Sequence, residues 1–419
     1  MKIWIVTIGE PLPTDAGKQR LHRSGQVAKI LSSRGHDVTW WTSSFDHALK
    51  RDRTLKDEVV TINDNLRIYM LYAPGYRKNV SLARIINHIK IAKKFRKLSR
   101  NEDRPDIILT SLPSIALSAA ATEFGRENSV PVVVDIRDLW PDIFLDLFPV
   151  YLKGMAKIAL FPAFLLAEKA CREATALSGC TAPFVEWGLK KARRALGQYD
   201  KEFFMGYSSQ VPNEQEIEQA KEYWREFGIE ESRQEFIVCF FGNMGRYFDF
   251  ETVIRAARQC KSKGMSLRFV LCGSGEKLAS YKELAKDCDN ILFPGWVNSA
   301  KIWYLLRISS AGLAPYVNID NFTLNLPNKP AEYFSASVPI LTSLQGILSN
   351  LLAETETGFT YQDGDPTDLV DKLMDLYNNP GKRQIMAVNA GKLYNEQFNA
   401  DVVYSNFAHH LEIIGQKKI

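Results

Sequence analysis

The stretch Phe236-Ile-Val-Cys-Phe-Phe-Gly-Asn-Met-Gly-Arg246 predicts a buried strand that ends in a glycine-containing turn. The apolar run at 236–241 has the length and the uninterrupted hydrophobicity of a strand covered on both faces. A helical pattern follows at 249–263. A strand, a short turn and a helix in this order are typical of parallel α/β domains.

The same alternation of apolar runs and helical patterns continues outward through most of the chain, including a helical pattern at 22–34 that Gly35 closes. Parallel strands joined by helices form doubly wound sheets. We therefore predict an α/β fold of two Rossmann-like doubly wound domains facing a cleft. The predicted strands are 2–8, 37–42, 66–72, 107–110, 130–135, 236–241, 266–272, 291–293, 311–314 and 338–341.

The join between the two halves is predicted between Tyr207 and Glu235, where Ser208-Ser-Gln-Val-Pro-Asn213 indicates a linker and 214–227 a polar helix. The domains are then 1–207 and 208–399. The segment 400–419 follows a helix that should already complete the second domain, so we expect its helix to pack back on the first. Ligands of doubly wound domains bind at the carboxyl ends of the strands, which makes the cleft the expected site.

Composition excludes several classes of protein. The 419 residues are 46% hydrophobic and 24% charged, unlike disordered, collagen-like or disulfide-scaffold chains. Fifty-three Lys and Arg against 48 Asp and Glu leave a net charge of +5, too small to indicate nucleic acid as a partner. The six cysteines form no C-x-x-C pair, and Met1–Ile8 is too short for a signal peptide's apolar region. We therefore expect reduced thiols and a cytoplasmic location.

Two glycine turns follow successive strands of the second half. The first contains Gly242 and Gly245, directly before Arg246, and the second contains Gly273 and Gly275. Backbone N–H groups at a strand-to-helix turn can approach a phosphate, and the following helix N-terminus favours its negative charge. A tight turn without a ligand explains either motif alone at least as well, whereas two such turns in one domain support an anion site and a ligand-free turn equally.

The stretch Leu324-Asn-Leu-Pro-Asn-Lys-Pro-Ala-Glu-Tyr-Phe334 places Asn328 and Lys329 beside a glutamate, Glu332, that we expect to open a helix. A carboxylate in this position can accept the two hydroxyls of a ribose, and the lysine can stabilise a departing diphosphate. The alternative is a first-turn glutamate favoured by the helix dipole, next to a solvated lysine.

In the first half, the strand at 130–135 runs into the polar loop Asp135-Ile-Arg-Asp-Leu-Trp-Pro141. Three ionisable groups at the end of a buried strand are costly unless they pair with each other or face a ligand. An internal ion pair that fixes the loop is the alternative to a binding role. The loop at 11–20, with Gly17 and Lys18, and the segment Thr110-Ser-Leu-Pro-Ser114 follow other strands of this half.

Taken together and in this order, these segments resemble the retaining glycosyltransferases of the GT-B fold, family-4 type. The resemblance extends to the bacterial O-antigen and capsule branch, which includes fucosamine transferase-like enzymes. It also rests on Leu326-Pro-Asn-Lys-Pro-Ala-Glu-Tyr333, Thr357-Gly-Phe-Thr360 and Asp363-Gly-Asp365, and covers nearly the whole chain.

The resemblance implies that the second domain binds a nucleotide-sugar, usually UDP-linked, and that the first domain binds the acceptor. It implies front-face displacement with retained configuration, without a metal or other cofactor. The implied residues are Asp138, Arg246 and Lys329 in catalysis, Gly242, Asn243, Gly245, Gly273, Gly275, Trp296, Val297, Asn328 and Glu332 at the donor, and Gly17, Lys18, Ser111 and Arg137 on the acceptor side.

The sequence departs from the family pattern at four places. Leu324 stands where the first of two glutamates is expected, and Tyr247-Phe-Asp-Phe250 replaces a lysine after the phosphate-loop arginine. Ser337 replaces a glycine, and Arg137 replaces a histidine. Because Leu324 replaces the first glutamate, no carboxylate is expected at that position to contact the donor sugar.

Two segments predict a membrane-facing side. Residues 76–100 contain nine Lys or Arg and no Asp or Glu, interleaved with aliphatic residues, and 144–166 adds a second apolar stretch. A basic amphipathic helix can lie in an anionic bilayer interface, and a solvated charged helix is the alternative. We favour an enzyme peripheral on the inner face of the plasma membrane, without a nucleic-acid partner.

The function expected from these features is transfer of a sugar from a UDP-linked donor to a lipid-linked saccharide in O-antigen or capsule biosynthesis. A UDP-sugar epimerase of the same fold and a non-catalytic nucleotide-sugar-binding partner remain alternatives. Two D-x-D triplets, Asp287-Cys-Asp289 and Asp363-Gly-Asp365, could chelate a metal against a diphosphate. We favour helix ends for both, with Asp365 as an N-cap before Pro366.

Overall fold

The structure of the chain is a computed structural model that describes residues 1–16, 20–233 and 235–417, without the side chains of residues 146, 147 and 233. It divides into two compact units, Met1–Phe204 with Val403–Ile419 and Met205–Val402. The sequence-based boundaries lay at 207 and 399, a few residues from these positions.

The first unit is built on an eight-stranded sheet with helices between its strands. Its helices are α1 (Arg23–Ser33), α2 (Leu82–Leu98), α3 (Ile115–Asn128), α4 (Lys153–Ala159), α5 (Phe161–Glu173) and α6 (Ala182–Ala192). Its strands are β1 (Lys2–Val6), β2 (Asp37–Ser43), β3 (Phe45–Asp46), β4 (Arg51–Asp52), β5 (Glu58–Asn63), β6 (Leu66–Leu71), β7 (Ile107–Leu112), β8 (Val132–Ile136), β9 (Ala176–Gly179) and β10 (Lys201–Glu202).

The sheet order is β10-β9-β8-β7-β1-β2-β6-β5, in which only the β5–β6 pair is antiparallel, while β3 and β4 form a separate antiparallel hairpin. The central strands β1, β7 and β8 are almost entirely buried because helices cover both faces of a parallel sheet. Beneath them, Trp4 packs against Trp41, Phe95 and Phe124, with ring centroids 5.0–6.2 Å apart.

The second unit is built on a six-stranded, wholly parallel sheet of order β13-β12-β11-β14-β15-β16. Its strands are β11 (Phe236–Asn243), β12 (Leu267–Ser274), β13 (Ile291–Gly295), β14 (Ala311–Ala314), β15 (Ile340–Thr342) and β16 (Gly358–Thr360). Its helices are α7 (Glu214–Glu226), α8 (Phe250–Ser262), α9 (Leu278–Leu284), α10 (Ser299–Arg307), α11 (Asp320–Thr323), α12 (Asn328–Ser335), α13 (Ile347–Thr355), α14 (Pro366–Asn378) and α15 (Pro380–Leu393).

Several helices of this unit begin where side chains satisfy their free N–H groups. Asn213 and Glu216 form a reciprocal capping box at α7, and Asp249 accepts a hydrogen bond from the Thr252 N–H at α8. Asp365 caps α14, as predicted, by accepting from the N–H groups of residues 367 and 368.

The last helix, α16 (Ala400–Gln416), belongs from Val403 onward to the first unit. The fully buried Phe407 stacks on Phe203 with ring centroids 4.5 Å apart, and Glu412 pairs with Arg34 and His36. The helix therefore completes the core of the first unit.

Among the described residues, no single helix is long and apolar enough to span a bilayer. The pair Val150–Ala159 and Phe161–Glu173, bent by 68°, meets the length and composition criteria only when its two parts are taken together.

Candidate functional site

The two glycine turns of the second unit lie side by side. Strands β11 and β12 pair in register so that Gly242 faces Gly273, and the two have φ angles of +142° and +145°. A Cβ at Gly273 would lie 1.8 Å from the Gly242 carbonyl oxygen. Glycine is required here because the strand ends approach too closely for any side chain.

Hydrogen bonds join the loops that follow these strands. The Met244 N–H donates to the Ser274 carbonyl at 2.8 Å, and the Lys277 N–H donates to the Met244 carbonyl at 3.1 Å. A Cβ at Gly275 would lie 2.6 Å from the Asn243 Oδ1 and the Met244 carbonyl. The predicted donor residues of both turns therefore form one fixed backbone surface at the carboxyl ends of the strands.

Lys329 of α12 reaches this surface. A Cβ at Gly242 would lie 2.6 Å from the Lys329 Nζ, and the same nitrogen lies 5.2 Å and 5.0 Å from the ring centroids of Phe240 and Phe248. Burial lowers the pKa of Lys329, while the nearby carboxylate of Glu332 opposes that effect. An ammonium group between aromatic faces and a glycine backbone is suited to bind an anion.

Asn328 is exposed at the start of α12, whereas Glu332 is partly buried in its second turn. We had expected Glu332 to open the helix. This expectation was wrong, because the helix begins four residues earlier, at Asn328. The interpretation as a first-turn glutamate favoured by the helix dipole is therefore weakened, since that effect falls off within the first turn.

Three further predicted donor residues differ in accessibility. Arg246 is exposed, lies over the Tyr247 ring at 4.9 Å and donates to the Tyr247 hydroxyl at 3.0 Å. Trp296 is 75% exposed, whereas Val297 is 5% exposed. A planar base could therefore stack on the tryptophan directly, and the valine could act only by supporting it.

In the first unit, Asp135 is fully buried in a network of ion pairs. It accepts from Arg23 Nη2 at 2.9 Å, from Arg137 Nε at 2.9 Å and from Ser178 Oγ at 2.8 Å. Burial alone would raise the pKa of Asp135, but the two guanidinium groups hold it below its ordinary value. The loop therefore contains the internal ion pairs that the sequence analysis gave as the alternative to a binding role.

The network continues to Glu10, which accepts from Arg137 Nη1 and, at 2.7 Å, from the Ser24 hydroxyl. Arg23 also donates to the Phe203 carbonyl at 2.6 Å. All three guanidinium nitrogens of Arg137 donate within the network. Arg137 was predicted on the acceptor side, and these bonds make it a residue that orients the loop.

Sequence analysis missed Glu10, Arg23 and Ser24. Arg23 stands four and eight residues before the buried Val27 and Leu31 of α1, and this apolar spacing was the available signal.

The other predicted residues of this unit are placed differently. Ser111 is buried at the end of β7, where its carbonyl accepts from the Ser118 hydroxyl at 2.9 Å. Gly17 and Lys18 lie outside the described residues. Asp138 is partly exposed, and burial raises its pKa to about 6 against the opposing effect of Arg84 and Arg137. A carboxyl group that titrates near neutrality is suited to proton transfer.

The side chains of the D-x-D triplets make protein contacts. Asp287 pairs with Arg258 at 2.7 Å, Asp289 pairs with Lys261 at 2.8 Å, and Asp363 accepts from the Asn318 amide at 3.0 Å. With Asp365 capping α14, these carboxylates stabilise helix and loop ends.

The two segments predicted to face a membrane are partly buried. In 76–100, Ile91 and Phe95 point into the core, whereas Leu82, Ile85, Ile86 and Ile89 are 40–78% exposed. In 144–166, Phe164 is buried, but Val150, Tyr151, Met155, Ile158 and Phe161 are 56–84% exposed. Exposed apolar side chains of these segments therefore include those in the first half of α2 and those around α4.

Residues 222–393 match the sequence model of the family described as Glycosyl transferases group 1. No sequence among the curated proteins matches the chain. Among solved structures, sucrose-phosphate synthase from Thermosynechococcus elongatus is similar over 99% of this chain and 98% of its own, with a TM-score of 0.67 at 15% identity. Anabaena HepE in complex with UDP gives a TM-score of 0.64 at 14% identity, covering 99% of this chain and 100% of HepE. WaaG, a glycosyltransferase involved in lipopolysaccharide biosynthesis, gives 0.55 at 15% identity, covering 98% and 99%.

The two doubly wound sheets and these matches confirm the predicted fold class, GT-B. Residues 222–393, which match the glycosyl transferases group 1 model, include both glycine turns and Lys329. The glycosyltransferase superfamily indicated by the sequence resemblance is thereby supported.

Proposed function

We propose that this protein is a retaining glycosyltransferase that moves a sugar from a UDP-linked donor to a lipid-linked saccharide. The observation that carries the proposal is the contact of Lys329 with the glycine turn at Gly242. It brings a cation to backbone that is accessible only because side chains are absent, which is the arrangement a diphosphate requires. The UDP bound by HepE supports the choice of nucleotide.

In the proposed reaction, the bond between the anomeric carbon and the diphosphate oxygen breaks while the acceptor hydroxyl bonds to the same face of that carbon. The hydroxyl proton passes to the departing diphosphate, whose negative charge Lys329, Arg246 and the backbone donors of the turns stabilise. Glu332 binds the ribose and Trp296 stacks on the base. No metal or other cofactor takes part.

The acceptor side is assigned to the first unit. Asp138 contacts the reacting sugar or the acceptor, and the ion pairs of Arg137 with Glu10 and Asp135 hold the preceding strand end in place. Leu324, 37% exposed after α11, offers no carboxylate to the sugar. Selectivity for the donor sugar then depends on other groups.

We assign the enzyme to the cytoplasmic face of the plasma membrane. The exposed aliphatic residues at the start of α2 are followed by the exposed cations Lys90, Lys93 and Lys97. Each cation near an anionic surface contributes about 1 kcal/mol to membrane binding. The exposed residues around α4 supply apolar area that can enter the interface.

We place the enzyme in the family-4 branch that builds O-antigen or capsule and includes fucosamine transferase-like enzymes. Two similar folds support this context, WaaG and the lipopolysaccharide outer core galactosyltransferase WaaB.

Incubation with a panel of UDP-sugars, with and without a short lipid-linked saccharide and EDTA, followed by mass spectrometry, tests the proposal. We expect acceptor-dependent release of UDP that survives EDTA. Isomerisation of the donor without acceptor would instead establish an epimerase. Binding without turnover would establish a non-catalytic partner.

The donor site is tested by calorimetric titration with UDP. Lys329→Ala and Glu332→Ala should each weaken binding about tenfold. Lys263→Ala and Glu354→Ala, at exposed positions of the same unit, serve as charge-matched controls. Unchanged affinity in both site variants would mean that the donor binds elsewhere.

The membrane assignment is tested by flotation with phosphatidylglycerol vesicles over a salt series. Changing Lys90, Lys93 and Lys97 to Glu should abolish flotation at low salt. The same change at the exposed residues Lys29, Lys56 and Lys190 is the control of equal charge. Equal flotation of both triple variants would contradict a role for α2.

A further inference from the structure

Cationic and imidazole groups gather around Tyr76 in the first unit. The hairpin turn between β3 and β4 provides His47 and Lys50, and α2 provides Arg84 and His88. Trp140 stacks near His88, with ring centroids 6.4 Å apart and planes 19° apart. The two histidines are kept neutral, because burial and Arg84 lower their pKa values to about 4 for His47 and about 3 for His88.

Arg84 is held in place without a close anionic partner. Its guanidinium carbon lies 4.6 Å from the Trp140 centroid and 5.7 Å from the Tyr76 centroid, and its Nη1 donates to the Asn79 carbonyl at 2.9 Å. Its Nε is buried without a hydrogen-bond partner, an arrangement that normally costs free energy. Among the described side chains, no carboxylate lies within 4.0 Å of this guanidinium group.

Lys50 converges on the same place. Its Nζ donates to the Asn79 side-chain oxygen at 2.6 Å, lies 3.3 Å from His47 Nδ1 and lies 5.2 Å from the Tyr76 centroid. The residue adopts a left-handed φ of +54°, which is uncommon for a lysine. The backbone and side chain of one residue, Asn79, thus bind both cations.

Lys50 and Arg84 both donate to Asn79, and the repulsion between the two cations favours binding of an anion near them. Burial and the charge of Arg84 both lower the pKa of Lys50, against the weaker opposing effect of Asp46. The Oδ1 atom of Asp46 accepts from the N–H groups of residues 48 and 49, and its Oδ2 atom lies 3.8 Å from Arg53 Nη2. Asp138 is the other acidic group near Arg84, and burial works against its ionisation.

The start of α2 adds to the positive potential. This 17-residue helix is capped by Ser81, whose hydroxyl accepts from the Arg84 N–H at 3.3 Å, and its first turn contains no acidic residue. The neighbouring Val80 and Leu82 are 63% and 78% exposed. An anionic group attached to an apolar chain would therefore meet a cation pair and exposed apolar residues together.

We propose that Lys50 and Arg84 form a binding site for the diphosphate of the lipid-linked acceptor. The inference rests on the proposed function for the identity of the acceptor, and it deepens that function by assigning the group that the first unit recognises. The guanidinium and ammonium groups hydrogen-bond the phosphate oxygens, and the apolar residues at the start of α2 contact the first part of the prenyl chain.

Binding is measured by calorimetric titration with farnesyl diphosphate, in the presence of saturating UDP to occupy the donor site. We expect wild-type binding, a loss of about tenfold in Arg84→Gln and in Lys50→Gln, and partial retention in Arg84→Lys. Lys29→Gln and Lys56→Gln are the matched controls. Wild-type affinity in the double variant Lys50→Gln/Arg84→Gln, with an unchanged melting temperature, would overturn the proposal.

Kinetics separate recognition of the diphosphate from a general structural effect. The double variant should raise KM for a prenyl-diphosphate-linked saccharide about tenfold and leave KM unchanged for the same saccharide on a neutral alkyl chain. Equal losses with both acceptors would contradict the assignment. UDP binding by the double variant is measured as well. If UDP binding is unchanged, the donor site is intact, and a failure of the diphosphate site can then be distinguished from a failure of the proposed function.

Flotation distinguishes the diphosphate from bulk lipid headgroups. The double variant should float with phosphatidylglycerol vesicles as the wild type does. Loss of flotation together with unchanged affinity for farnesyl diphosphate would assign the two cations to headgroup binding and refute the proposed site.

Discussion

Lys329 lies against Gly242 so closely that a Cβ at the glycine would lie 2.6 Å from the lysine ammonium nitrogen. The lysine comes from α12 and the glycine from the end of β11, so the contact joins the two motifs that the sequence singled out in the second half. The Lys329 ammonium group can therefore occupy this position only because residue 242 has no side chain.

We predict that Gly242→Ala weakens UDP binding by about tenfold, because the added methyl group displaces the lysine and strains a φ of +142°. Gly381→Ala is the control, since a Cβ there meets nothing within 4 Å and its φ is not positive. The measurement is calorimetric titration with UDP, with a melting curve for each variant. Equal affinity of both variants for UDP would refute the positioning role.

Asp135→Asn should lower the free energy of unfolding by about 3 kcal/mol, because it leaves the buried Arg23 guanidinium without its carboxylate. Urea denaturation followed by circular dichroism measures the change. Asp103→Asn removes an exposed partner of Lys2 and should leave the urea midpoint unchanged. A similar midpoint for the wild type and the Asp135 variant would show that the network is dispensable.

Asp138 should make stability depend on pH in an unusual direction for a carboxyl group. Its folded-state pKa of about 6 lies above its ordinary value of 3.8, so the native state binds more protons than the unfolded chain in this interval. Its contribution to stability is therefore present at low pH and is lost as the pH rises through about 6. Arg84 and Arg137 face the group and oppose the shift.

The free energy of unfolding of Asp138→Asn should consequently exceed that of the wild type by about 2 kcal/mol at neutral pH and by little at about pH 4. Urea titrations of both proteins across this range give the difference. Under the proposed function, the same variant should lose transferase activity while becoming more stable. A stability difference that does not vary with pH would contradict the raised pKa.

Ser337 occupies a position that favours glycine. It follows α12 and has a φ of +58°, which costs a residue with a Cβ about 1 kcal/mol. Ser337→Gly should therefore raise the free energy of unfolding by about this amount, whereas Ser337→Ala should not. Thermal unfolding of the two variants provides the test, and equal melting temperatures would argue against backbone strain.

The class of fold was predictable because apolar runs and helical patterns are local properties of the sequence. The strand at 236–241 and the cap at Asp365 are examples, since each depends on neighbours within a few residues. The short hairpin of β3 and β4 was missed because strands of two residues carry no periodic signal.

Candidate residues within recognisable turns were likewise found, but their partners were not. Arg23 meets Asp135 only after α1 has packed against the sheet that contains β8. Lys50 and Arg84 meet Asn79 for a similar reason, because a hairpin, a loop and a helix converge there. Segment 76–100 was interpreted as a basic amphipathic helix with its aliphatic residues facing a membrane, whereas Ile91 and Phe95 are buried in the protein core.

The position of α16 sets the order in which the chain can fold during synthesis. Phe407 packs on Phe203, and Arg23 lies 4.6 Å from the Phe407 ring, yet this phenylalanine is made about 200 residues after Phe203. All of Met205–Val402 leaves the ribosome in between. The unit that begins first therefore finishes its core last, while the unit encoded within it can fold to completion earlier. Until α16 is synthesised, the first unit lacks the helix that covers Phe203 and Arg23.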